Sequence, residues 1–591
     1  MRNCCGRAGL RPALFAGLIF AGGINSGLAA DLTVSIAPRW RGTEIAVPSG
    51  ALANDTGQIV RLTRVALLVS EVVLRRADGG AVRLEGQFGF LDLGSGRNEF
   101  TLRGVPAGDY TGLEFRIGVP AAANLGDPGR WPADHALNPV VNGLHWSWQG
   151  GYVFAALEGH YRAGAGAPDN AERGFSFHLA TEARLMAVGF RADWKIAGTT
   201  TVSLALDLAR VLAAQRLAAD DGSESTHSGE GDTLAPRLAT ALERAWFWLG
   251  ARSGERQRAD ESESPAPLAH ARGHEVAAPL AFTVPAGFPQ PALPADNLPT
   301  AAGVALGEAL FFDPRLSGNG TQSCAACHAP ALAFSDSVAL SRGAEGAPGR
   351  RNAMPLFNLA WSPSFAWDGS QPRIRDQALA AWTNPIEMNA EPARVVAALA
   401  HDPGLAEKTA AAFGSGDVTA ERVTLALEQY LLMQVAADSR FDRSLRGEVE
   451  LSAEEKRGFE LFMLEHDPVR GRRGADCFHC HGGALFTDFG FKNNGLDLVS
   501  ADGGRGEVTR QAGDAGKFKT PSLRNVALTA PYMHDGRFAT LEEVVAHYDH
   551  GVQRAAALDP NLAKHPGAGM GLDADDRRAI VAFLRTLTEL R

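Results

Sequence analysis

Hydrophobic and polar positions alternate in the first third of the chain and recur at helical spacing in its second half. Leu113, Phe115 and Ile117 alternate with Glu114, Arg116 and Gly118, the period of a half-buried strand. Val65–Leu74 and Thr200–Leu206 are rich in β-branched and aliphatic residues, and Asp78-Gly79-Gly80 and Pro106-Ala107-Gly108-Asp109 are turn sequences between such runs. The pattern predicts an all-β sandwich-like domain over residues 31–212. From about Pro279 the period changes. Ala305–Phe312, Pro392–Ala400, Thr419–Gln434, Ala453–Phe462, Leu541–Tyr548 and Ala574–Leu587 carry apolar residues at helical spacing.

Between these regions the chain is polar. Asp220–Asp232 is acidic and rich in Ser and Gly, and Glu255–Ser264 is charged, so residues 213–278 read as a linker. Within it, Pro236–Leu249 reads as a short helix carrying Trp246, Phe247 and Trp248. At the other end, Arg2, Arg7 and Arg11 precede an apolar run, Leu14–Ile24, and small residues lead up to Asp31. Residues 1–30 therefore read as a secretory signal. No later apolar run has the length of a transmembrane helix.

Composition narrows the function classes. A net charge of −10 without a basic run argues against nucleic acid as a partner. Of the 6 cysteines, Cys4 and Cys5 fall in the signal, which leaves no disulfide framework. The other four form two copies of one pattern, Cys324-Ala325-Ala326-Cys327-His328 and Cys477-Phe478-His479-Cys480-His481. C-x-x-C-H is the attachment signature of a c-type haem. Two thiols at this spacing reach the two vinyl groups of one porphyrin, and the adjacent histidine ligates iron from below. Structural zinc also uses C-x-x-C pairs, but zinc does not need a histidine directly after both. Two covalent c-type haems are expected, one in residues 279–450 and one in residues 451–591. Export fits them, because thioether attachment takes place outside the bacterial cytoplasm, and a periplasmic location is expected.

In the β region, histidines interleave with tryptophans: Trp131, His135, His145-Trp146-Ser147-Trp148, His160 and Phe177-His178. Imidazoles suit copper, and His135 and His178 are candidate ligands. The same spacing also reads as a turn and strand whose aromatics fill a core.

Residues 280–591 resemble the bacterial di-haem cytochrome c peroxidases and the related MauG and MbnH enzymes. The resemblance rests on Phe312-Asp313-Pro314-Arg315-Leu316-Ser317, Trp367-Asp368-Gly369, Ile386-Glu387-Met388-Asn389, Phe518–Asn525 and Pro531-Tyr532-Met533-His534-Asp535-Gly536. Residues 31–212 are similar to the copper-binding MbnP-like proteins through Asp134-His135-Ala136-Leu137-Asn138 and Trp146-Ser147-Trp148 followed by Gly151-Tyr152, although this domain lacks the cysteines of some members. The overall expectation is a multidomain protein: an N-terminal β sandwich and a mainly α, two-lobe, cytochrome-c-like unit.

The resemblance implies roles. His328 would ligate a peroxidatic haem with an open far side, since no histidine lies between Ala329 and Asn352 to close it. Glu387 would be its acid/base and Trp367 the indole between the haems. Tyr548 would cap the haem of His481, with Met533, His547 and Met570 as rivals; a phenolate cap favours higher oxidation states of iron. Asn352, Thr529 and Pro531 would hold an inter-haem calcium, the last two through backbone oxygens. The implied activity uses hydrogen peroxide to oxidise tryptophan, to kynurenine, in the fused β domain. The alternatives are a plain peroxidase fed by a small redox protein, with the β domain for docking or copper binding, and a non-catalytic electron carrier or copper store.

Overall fold

The computed structural model describes residues 29–146, 151–164, 166, 172–229, 231–253, 278–565, 567 and 569–589. The signal read over residues 1–30 lies outside these except at Ala29 and Ala30, which open the first strand, and Trp148 lies outside them too.

The N-terminal domain packs two sheets around one apolar core. In the smaller sheet, Ala29–Trp40 runs parallel to Thr200–Asp207, pairing Leu32 with Thr200 and Arg39 with Asp207. Leu32, Val34 and Ile36 point inward and their neighbours outward, as a strand with one wet face requires. The larger sheet is built on the long strand Ile59–Arg76, flanked by Gly108–Ile117 and Gly151–Arg162, with Arg173–Ala180 beyond the latter.

Gly151–Arg162 and Arg173–Ala180 do not alternate: nearly every residue in both is buried. One face lines the sandwich core and the helical part of the protein covers the other. His160 Nε2 lies 2.8 Å from Leu558 O, and Arg173 donates to Lys564 O at 2.6 Å. A Cβ on Gly174 would stand 1.8 Å from Pro560 O, so only glycine lets the Pro560–Ala563 helix approach this closely. Burial of a large apolar side chain is worth about 1.5–3 kcal/mol, and Trp146 joins the cores of both parts.

The expected linker is a correction. The described residues between 213 and 253 are part of the β domain: Ser225–Thr226 pairs in parallel with Arg173–Ala180, and a helix spans Leu234–Glu243. The predicted helix stops short of its aromatics. Trp246–Ser253 is a strand that pairs Trp246 with Leu206 and Trp248 with Leu204. Aromatic side chains favour a pleated, half-buried surface, and the free edge of the small sheet supplies one. The Glu255–Ser264 part of the expected linker lies outside the described residues.

The helical part has two large cores, one mainly in each lobe. In the first, Ala301–Phe311 packs on Ala420–Leu432; in the second, Ala453–Met463 packs on Ala574–Thr586. Ser452 and Glu455 close a capping box that starts the Ala453 helix, and Thr540 and Glu543 do the same for Leu541–Ala546. Helices missing from the periodicity reading include Ile374–Thr383, Pro403–Phe413 and Arg440–Leu445. Among the described residues, no helix is long and apolar enough to cross a membrane.

Candidate functional site: two haem-binding motifs and their surroundings

Both C-x-x-C-H motifs fold as a tight 3-10 turn, over Cys324–Ala326 and over Cys477–His479. Each turn is closed by the histidine amide, which donates to the first cysteine's carbonyl at 3.0 Å for His328 and 2.9 Å for His481. The chain then bends back through a phenylalanine in the left-handed region, Phe334 (φ 60°) or Phe486 (φ 52°). The bend aims that carbonyl at the imidazole: Phe334 O is 3.0 Å from His328 Nδ1, and Phe486 O is 3.1 Å from His481 Nδ1. This carbonyl fixes the tautomer with its proton on Nδ1, so Nε2 is the nitrogen for iron. Burial lowers the pKa of both histidines, which keeps them neutral and able to ligate. Burial also pushes the Cys324 and Cys477 thiols up to about 12.

A cavity of about 510 Å³ lies over His328, walled by Phe311, Leu356, Ile374, Leu427 and Leu431 among others. Cys324, Cys327, Glu387 and Trp367 all line it, so the structure gathers these predicted residues around one space. Thiols, an oriented imidazole and apolar walls fit a covalent haem. Glu387 is half-buried, and burial raises its pKa above the usual carboxylate range. Asn384 Nδ2 donates to Glu387 Oε1 at 2.8 Å and holds the carboxyl in place. Gln322 Nε2 reaches Cys327 Sγ at 3.2 Å. Asn384 and Gln322 escaped the sequence reading, because short polar residues beside a motif carry no periodic signal.

Trp367 is buried and tied to both lobes. Its Nε1 donates to Asn352 O at 2.9 Å, and its carbonyl accepts from the Lys519 amide at 2.7 Å. The next residue, Asp368, is gripped by Arg351 at 2.6 Å, and Arg351 also pairs with Asp502 at 2.8 Å. Lys519 donates to Ser364 O, and burial lowers its pKa to about 8. Asn352 meets the loop after Pro531 through its amide, 2.7 Å from His534 O, while its side-chain nitrogen donates to Ala339 O at 3.1 Å. Thr529 Oγ1 donates to Val526 O at 3.2 Å, which leaves its backbone oxygen as the expected donor.

In the second lobe the helix predicted to reach Tyr548 gives way at Ala546 to a wider π turn, His547–Gly551. Such turns re-aim a side chain inside a helix. Asn494 Nδ2 reaches both the Tyr548 hydroxyl, at 3.3 Å, and Met533 Sδ, at 3.5 Å. His547 is turned away, with Nε2 3.0 Å from Asn494 O. Burial lifts the free Tyr548 phenol to about 12.

The two copper candidates of the β domain separate. His135 stacks on Trp131 at 4.3 Å and takes the Leu137 amide on Nδ1 at 3.1 Å. His178 lies elsewhere, beside Trp146, His227 and the second haem motif. Trp146 packs edge-on to His178 at 5.6 Å and to Phe478 at 5.6 Å.

Residues 301–450 match the family model described as di-haem cytochrome c peroxidase, and residues 29–228 match the MbnP family model. The methylamine utilization protein MauG of Methylorubrum extorquens is 39% identical over 310 residues, covering 52% of this chain and 83% of that protein. The cytochrome c peroxidase Ccp of Escherichia coli is 34% identical over 367 residues, covering 60% and 71%. A solved MauG-like protein associated with microbial copper homeostasis is 34% identical and covers 52% of this chain and 96% of its own, with a TM-score of 0.48. The chain thus belongs to the di-haem cytochrome c peroxidase and MauG family, as a di-haem, peroxidase-type oxidoreductase joined to an N-terminal MbnP domain.

Proposed function

We propose that this periplasmic enzyme uses hydrogen peroxide to oxidise a tryptophan of its own β domain, and that the tryptophan is Trp146. The observation that carries the reading is the contact of Trp146 with Phe478, which lies between the two haem-anchoring cysteines of the second motif. A tether alone raises effective concentration into the millimolar range; here the substrate side chain is already docked.

When bound, the haem of His328 supplies an iron that reacts with peroxide. Glu387 lines the same cavity, and its carboxylate takes a proton from one peroxide oxygen and hands it to the other. Trp367, bonded to both lobes, would carry electrons between the centres. Trp146 gives up electrons at the far end. Two peroxides supply the four oxidising equivalents that open the indole to its N-formyl product, with two water molecules released, and hydrolysis then frees formate and leaves kynurenine.

Tyr548 would be a ligand of the second haem iron, as a phenolate. Asn494 steers the hydroxyl, and His547 is engaged with a carbonyl. Tyr548→Phe shifts the absorption and electron paramagnetic resonance (EPR) spectra of one haem and leaves the other unchanged; two unchanged haems remove the assignment and leave Met533 beside the site. A calcium ion would be held by Asn352 and by the backbone oxygens of Thr529 and Pro531, where the Asn352 loop meets the loop after Pro531.

Peptide mass spectrometry of the holoenzyme before and after peroxide tests the main reading. Trp146 gains two oxygen atoms, or the kynurenine mass, in the native chain and stays unmodified in Trp367→Phe. An intact Trp146 together with rapid consumption of a reduced small cytochrome decides for a plain peroxidase with a separate electron donor.

A further inference from the structure

Three histidines from distant parts of the chain converge where the β domain meets the second haem motif. His178 lies within the buried stretch of the Arg173–Ala180 strand. His227 follows Ser225–Thr226, which pairs with that strand at Phe177–Thr226, so the register sets the two imidazoles side by side. His479 comes from the haem peptide itself, between Cys477 and Cys480. Ring centroids are 4.9 Å apart for His178 and His227, 4.7 Å for His227 and His479, and 5.4 Å for His178 and His479. One nitrogen from each lies within 4.8 Å of the other two.

The outer nitrogen of every ring faces an acceptor, and those of His178 and His479 are hydrogen-bonded to it. His178 Nε2 is 2.9 Å from Glu158 Oε1, and that carboxylate also takes Arg64 at 3.2 Å. His227 Nδ1 is 2.7 Å from Glu465 Oε2. His479 Nδ1 is 3.3 Å from Asp476 O. An acceptor behind each imidazole puts the ring proton on the outside and the lone pair on the inside, the arrangement that surrounds metal-bound histidines. The inner nitrogens then face one another. His227 Nε2 and His479 Nε2 stand 2.6 Å apart, and His178 Nδ1 is buried without a hydrogen-bond partner. One proton can serve a single pair of these nitrogens; a cation serves all three.

We infer that His178, His227 and His479 form a copper site that spans the two domains, with its third ligand supplied from inside a haem-attachment motif. Three neutral nitrogen donors without a thiolate suit copper above the other divalent first-row metals. Metal–nitrogen bonds of about 2.0–2.1 Å set tetrahedral ligands about 3.3 Å apart, so His227 and His479 open slightly as His178 draws in. Because His479 is covalently continuous with Cys477 and Cys480, occupancy of the site is sensed at the second haem. The inference stands apart from tryptophan oxidation and needs no peroxide.

The test adds Cu(II) to the holoprotein with both haems in place and reads metal content after dialysis, EPR nitrogen hyperfine structure, and the haem absorption bands. Native protein retains one copper with three nitrogen donors, and one haem spectrum shifts. His479→Ala and His178→Ala each weaken binding about 100-fold or more, the upper end of what lesser changes around a metal cost. His401→Ala, at an exposed histidine of the first lobe, leaves binding unchanged. Equal affinity in native and His479→Ala protein overturns the inference, as does a native chain that takes up no copper. The nitrogen count in native protein decides the matter even where a variant fails to fold.

Discussion

Glu387→Gln slows peroxide turnover by about 10²–10⁴-fold, the usual contribution of a positioned acid/base group. The replacement keeps the shape of the side chain and an oxygen for Asn384 Nδ2 to bond, so the cavity over His328 is preserved and only the proton transfer is lost. The pH profile supplies the second signature. Burial raises the Glu387 pKa, and the basic form is the one that accepts the peroxide proton. The rate of the peroxide step therefore rises with pH through a range above that of an ordinary carboxylate, and Glu387→Gln flattens that rise. Stopped-flow peroxide consumption across pH checks both. A variant with native rate and native profile would remove Glu387 from the chemistry.

Lys564→Met is expected to cost about 3–5 kcal/mol, the penalty for removing one member of a buried charge network. Lys564 Nζ sits between Glu465 Oε1 at 2.9 Å and Asp476 Oδ2 at 3.4 Å, and it reaches Ser176 Oγ of the β domain at 3.4 Å. The side chains of Lys564, Glu465 and Asp476 are each less than a tenth exposed, so the variant strands two carboxylates in a dry seam. His227 and His565 also face them, at 2.7 Å from Glu465 and 3.1 Å from Asp476.

The network lowers the pKa of both carboxyls. Its stabilisation is present above their unfolded values and is lost as pH falls through the folded ones. In Lys564→Met the unpaired carboxyls shift the other way, and acid relieves them by protonation. The deficit of the variant is thus largest near neutral pH and narrows on acidification. Thermal denaturation of holoprotein across pH measures it, and Lys564→Met with Glu465→Gln recovers part of the loss. A constant difference across pH would mean that the carboxylates are not the cause.

What the chain alone determined was local. Cysteines three residues apart with a histidine next to the second specify a haem anchor, because the chemistry needs only neighbours. Alternation and helical spacing separated the sandwich from the helical lobes. Motif resemblance marked Glu387, Trp367 and Tyr548, and the first two line one cavity with His328. Tertiary structure decided the rest. Trp246 and Phe247, apolar enough to extend a helix, became a strand because Thr200–Asp207 offered them an edge. The expected linker became part of the β domain for the same reason. The seam joins Trp146 to Phe478, and His227 to His479 across 252 residues of sequence. No period or spacing encodes such a meeting: it exists only once two buried surfaces have packed.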